Sequence, residues 1–201
     1  RVVEHVRTGT DLPFSSRQFW DDDWVFPIDA DRDAVAVYLR AATSNSLQMP
    51  IRIVEREHFI AQDTISLLLW GVLYGLMLIM ALYSFLNCIV IFDKLYLYYS
   101  LYVLATMFTI ASLNGHGFAL LWPDVPVINS FALSVFPCLM ICFGTAFALL
   151  YLGIETQRLR SRYVGYGFIA VSLFTAIVAL GTRVDLSFWA AVLTVAFSIT
   201  L

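Results

Sequence analysis

The chain has 201 residues, 60% hydrophobic and only 13% charged, with a formal net charge of −3. The charges are unevenly placed: residues 1–63 hold seven of the twelve Lys/Arg and eleven of the fifteen Asp/Glu, and residues 64–201 hold the other five and four. A soluble core as long as the second part needs a charged surface to face water, so composition excludes a soluble globular reading there and makes it a membrane domain.

Residues 1–63 carry the pattern of strands. Trp24, Phe26 and Ile28 alternate with their neighbours, and Val35, Val37 and Leu39 alternate with Ala36, Tyr38 and Arg40. Thr43-Ser44-Asn45-Ser46 has turn composition, and a further strand is expected over residues 51–54, with Pro50 placing it at a start or an edge. No cysteine lies in this segment, and sixty residues of strand without a disulfide make a weak core. The expectation is therefore an antiparallel β-sandwich, partial, its other strands lying elsewhere in a longer protein. Arg1 at one end and a hydrophobic run still open at Leu201 fit the same expectation. Asp29-Ala30-Asp31-Arg32-Asp33 opens like a calcium loop, but Ala34 stands where the sixth-position glycine belongs and Arg40 where the twelfth-position glutamate belongs. It reads as an acidic turn, and Asp21-Asp22-Asp23 as a solvated loop.

From Thr64 the sequence reads as spans. Residues 64–92 contain no charge, enough for a helix of about 43 Å against the roughly 30 Å of a hydrocarbon core. Trp70 near one end suits the headgroup level. Span two is expected at 95–113, span three at 125–154, span four at 163–180 and span five at 186–201, where the run is cut. Pro137 lies inside span three and predicts a bend there, since proline lacks an N–H and crowds the preceding turn. Lys94 in the first turn and Arg158, Arg160 and Arg162 in the third loop oppose only Arg183 in the fourth, and the second has no Lys or Arg. By the positive-inside rule residues 1–63 are then expected outside, which for the inner membrane of a bacterium means the periplasm.

Four further features bear on function. Gly71 and Gly75 form a GxxxG pair that permits close helix approach, within the bundle by preference or across a homodimer. Asn87 is placed to hydrogen-bond a neighbouring helix. His116, between two glycines, reads as a loop histidine at the interface, with pH sensing as the less favoured role. Cys138 and Cys142 share a helix face, but no acid or histidine lies near them in sequence, so they read as small packing residues. No metal, cofactor or nucleic-acid partner is called for. No Asp, Glu, Lys or Arg falls well inside a span, which disfavours a transporter or channel, the main rival reading. A membrane-embedded enzyme has no paired acids or nucleophile–base motif to support it.

Leu73-Tyr74-Gly75-Leu76-Met77-Leu78-Ile79-Met80-Ala81-Leu82-Tyr83 in span one, Tyr96-Leu97-Tyr98-Tyr99 opening span two, and Asn114-Gly115-His116-Gly117 followed by Leu121-Trp122-Pro123 occur in that order. In order and spacing they resemble the bacterial seven-transmembrane receptors with diverse intracellular signalling modules (the 7TM-DISM family). Tyr38-Leu39-Arg40 and residues 50–54 resemble the end of that family's extracellular jelly-roll domain, which is similar to carbohydrate-binding modules. The resemblance implies seven spans, an outside N-terminus, a small-molecule ligand such as a carbohydrate, and a cytoplasmic output module, a diguanylate cyclase or a histidine kinase.

Overall fold

The computed structural model describes residues 6–9, 12–19, 24–28, 37–40, 51–153 and 159–182. Among these residues the regular elements are a 3₁₀ turn, Phe14–Ser16, and the helices α1 Arg56–Ile91, α2 Lys94–Leu113, α3 His116–Leu120, α4 Pro126–Tyr151 and α5 Leu159–Thr182. By length and composition α1, α2 and α4 each suffice to cross a membrane, whereas the apolar part of α5, Gly165–Val178, is shorter. Span five lies outside the described residues.

The β-sandwich expected for residues 1–63 is not found. Among the described residues there is no strand: 24–28, 37–40 and 51–55 are irregular, and 56–63 belong to α1. Alternation of apolar residues selects a face but supplies neither the ladder partner nor the opposing layer that a strand needs. Among the described residues neither is present for these segments, where Tyr38 is 92% exposed and Ile53 90% exposed. Residues 41–50, with the turn and Pro50, and the acidic runs at 21–23 and 29–33 lie outside the described residues.

Helix α1 has 36 residues, about 54 Å at 1.5 Å each, so its polar start at Arg56 to Asp63 extends beyond what a bilayer core requires. It ends at Phe92, whose φ of 57° turns the chain sharply and whose N–H donates to the Cys88 carbonyl. Asp93 then caps α2, its carboxylate accepting from the Leu95 N–H at 2.9 Å. The resulting antiparallel hairpin is pinned by serines. Ser100 Oγ donates to the Ala81 carbonyl at 2.9 Å and Ser84 Oγ to the Tyr96 carbonyl at 3.0 Å. Ala81 is fully buried, so a small side chain lets the two backbones approach.

The helices pack in the order α1, α2, α4, α5, with α3 closing the end between α2 and α4. Across α2 and α4, Phe108 stacks on Phe136 with centroids 5.0 Å apart, and Tyr99 meets Phe147 at 5.3 Å. The hydroxyls of Thr109, Thr145 and Thr175 donate to carbonyls four residues back, so these polar groups enter the apolar interior satisfied. Helix α5 reaches α4 because residue 165 is glycine: a Cβ there would lie 2.7 Å from Leu149 Cδ2. Further along the same contact Cys138 is buried with Ala176.

Candidate functional site

The short helix α3 is where three parts of the chain meet. Gly115 leads into it with φ of 80°, a backbone that reverses direction after α2 and that side-chain-bearing residues adopt poorly. His116, the first residue of α3, is only 6% exposed. Its Nδ1 is 3.0 Å from the Tyr74 hydroxyl of α1, which donates when Nδ1 carries the lone pair and accepts when Nδ1 is protonated. Trp70, one turn before Tyr74, stacks on it at 5.9 Å, and both rings face the imidazole at 5.5 and 5.7 Å. A histidine expected in a loop at the membrane interface is thus the buried centre of a three-ring clasp between α1 and α3.

The other side of α3 receives the N-terminal segment. Phe14 is 1% exposed, its ring edge-on to Phe118 at 5.5 Å and its N–H donating to the Pro123 carbonyl at 2.8 Å. Arg17 lies over the Phe14 ring at 4.4 Å and over Trp24 at 4.6 Å, a cation held between two aromatic faces. Trp122 packs on the same cluster of Phe14, Phe118 and Ala119. Its indole occupies the space a side chain at Gly117 would need, 2.9 Å from an added Cβ, and it stacks on Phe136 at 6.3 Å. Aromatic contacts therefore run from Phe14, which Arg17 links to Trp24, through Phe118 and Trp122 to Phe136 in the α2–α4 core.

Polar atoms without a hydrogen-bond partner collect at this end. Ser112 Oγ, Trp122 Nε1 and Asn129 Oδ1 are all buried and unbonded. Ser112 is one turn beyond Phe108 on α2, and Asn129 is two turns before Phe136 on α4, so both lie on the faces that carry the stacked rings toward Trp122.

The residues singled out for helix packing are placed as follows. Gly71 and Gly75 lie on α1, where an added Cβ would touch nothing within 4 Å. Asn87 Nδ2 donates to the Tyr83 carbonyl of its own helix at 3.0 Å rather than to a neighbouring helix. Helix α4 runs through Pro137 from Pro126 to Tyr151. None of the four touches the α3 cluster. Sequence reasoning missed Phe14 and Phe118: Phe14 is one of several apolar residues in its segment, with Leu12, Phe19 and Trp20, and Phe118 lies in an apolar run, so neither stands out locally.

A family model described as 7TM diverse intracellular signalling matches residues 66–201, and one described as 7TMR-DISM extracellular 2 matches residues 1–55. The chain belongs to the 7TM diverse intracellular signalling family. No curated protein and no solved structure matches it. The resemblance read from the sequence is thereby upheld. This 7TM-DISM chain is a multi-pass membrane protein of receptor type, and its matched regions are receptor domains rather than catalytic ones. The α3 cluster joins the two matched regions: Phe14 lies in the first, and His116, Phe118 and Trp122 in the second.

Proposed function

We propose that the protein is a signal receptor of a bacterial inner membrane, in which residues 1–55 face the periplasm, respond to a small-molecule ligand, and pass a shift through the helices to a cytoplasmic output module in the same polypeptide. The observation that carries this reading is the pair of family matches, an extracellular region followed by a 7TM region. The charges near the helix ends support the orientation: Lys94 at the start of α2 and Arg158, Arg160 and Arg162 at or before the start of α5 outnumber Arg183, and the α2–α4 connection holds no Lys or Arg. So does the docking of Phe14, which sets the N-terminal segment at the α2–α4 loop and so on the side opposite those charges. A carbohydrate or related ligand and a diguanylate cyclase or histidine kinase output follow from the family analogy. A ligand transmits a signal only by the difference in its affinity for two arrangements of the bundle. The bilayer is the obligatory partner of the exposed apolar helix faces, and a second copy of the chain is the proposed occupant of the open Gly71 and Gly75 surface.

Thiol labelling of intact cells tests the orientation. An impermeant maleimide should reach Ser44→Cys and Asp124→Cys and miss Ser161→Cys; the reverse pattern overturns the receptor reading. Substrate uptake into proteoliposomes holding the helical domain would favour a transporter instead.

A further inference from the structure

We propose that the Phe14–Ser16 turn is a docking element that seats the N-terminal segment on α3, making α3 a second joint between that segment and the helices besides the covalent start of α1. This rests on the receptor reading and names the contact through which residues 1–55 would act on the bundle.

Four observations converge on the contact. Phe14 is as buried as the most enclosed residues of the helices, although the segments around it expose Trp24, Phe26, Val37 and Tyr38. Burial of one aromatic amid exposed neighbours marks an anchor rather than part of a folded core. The anchor has a directional bond as well as an apolar contact, since its N–H donates to Pro123, whose carbonyl is fixed in the α3–α4 loop. Arg17, three residues on, covers the outer face of the ring and ties it to Trp24, so the anchor is linked to the rest of its own segment. Finally, the acceptor is well chosen to pass on a displacement. Helix α3 has five residues and no second turn of its own to hold it. Its position is set by its contacts: His116 on Tyr74 and Trp70 of α1, Gly117 under Trp122, and Phe118 under Phe14. Lifting Phe14 removes one wall of that seat, and the freed α3 carries His116 with respect to α1.

The test uses the full chain in right-side-out membrane vesicles. Ala119→Cys places a thiol beneath the anchor, where the residue is now buried with Phe14 and Phe118. An impermeant maleimide should label position 119 slowly when Phe14 is present and at least about tenfold faster in Phe14→Ala, because reaction follows the opening equilibrium of the covering group. Phe14→Leu, which keeps an apolar plug, should return most of the protection. Native Cys138, fully buried between α4 and α5, reports bundle integrity toward a permeant maleimide and should stay unreactive throughout. Equal rates with and without Phe14 overturn the proposal. So does exposure of Cys138 together with position 119, which would make Phe14 part of the bundle's folding core rather than a docking element. Labelling of position 119 only in inside-out vesicles, still dependent on Phe14, would leave the docking intact and defeat the outward orientation instead.

Discussion

Helix α1 and the α2–α4 pair are built from similar residues and held in opposite ways. Of the apolar window of α1 only 6% is buried, against 33% for α2 and 39% for α4. The pair is locked by ring contacts along its length, Tyr99 tilted against Phe147 and Phe108 stacked on Phe136. Helix α1 is held by two serine hydrogen bonds toward the α1–α2 turn and by the His116 clasp toward the other end. Packing between helices in lipid is van der Waals contact and interhelical hydrogen bonding, because lipid tails are as apolar as the side chains they replace. The helix that continues directly from the N-terminal segment is therefore the one with least to give up when it moves, and α2–α4 is the frame it moves against.

The strongest challenge to this contrast is a pair of truncations. Ile141→Ala, in the buried face of α4, should lower stability by about 2–5 kcal/mol, and Ile79→Ala, on the exposed face of α1, by less than about 1 kcal/mol. Thermal midpoints in nanodiscs compare them, and equal losses would show that α1 is packed after all. Glycine substitutions sharpen the same point. Gly165→Ala drives a methyl into Leu149 and should cost about 1–3 kcal/mol, whereas Gly71→Ala meets open space and should be neutral or stabilising by about 0.5–1 kcal/mol. A loss of cross-linked dimer in Gly71→Ile with monomer stability unchanged would identify a second copy as the occupant of that face. Smaller still, Tyr74→Phe deletes the hydrogen bond to His116 and should cost about 0.5–1.5 kcal/mol, while His116→Ala, which also removes the ring contacts to Trp70 and Tyr74, should cost more, and the double variant less than the sum of the two.

The helices were legible in the sequence because a helix satisfies its backbone locally and an uncharged run in lipid has few other ways to do so. The N-terminal segment was misread for the converse reason. The alternation at Val37 to Leu39 and at 51–54 names a face, but a strand exists only with a partner distant in sequence, and none faces these residues among those described. The α3 cluster fell between the two cases. Trp122 and His116 stood out by type, yet nothing near Phe14 in sequence announces that it lies against Phe118, over a hundred positions away. His116 between glycines looks like a loop residue at the interface until the fold brings Trp70 and Tyr74 over it.

The central claim is that the N-terminal segment governs where α1 stands against the α2–α4 frame. Spin-label distances in the full chain in nanodiscs test it most directly. One pair, Val90→Cys with Leu152→Cys, reports the ends of α1 and α4 remote from α3, and a second, Leu113→Cys with Leu152→Cys, reports the α2–α4 frame; all three positions are exposed. Introducing Phe14→Ala should shift or broaden the first distance distribution and leave the second unchanged. An unchanged first distance, or equal shifts in both, would contradict the account.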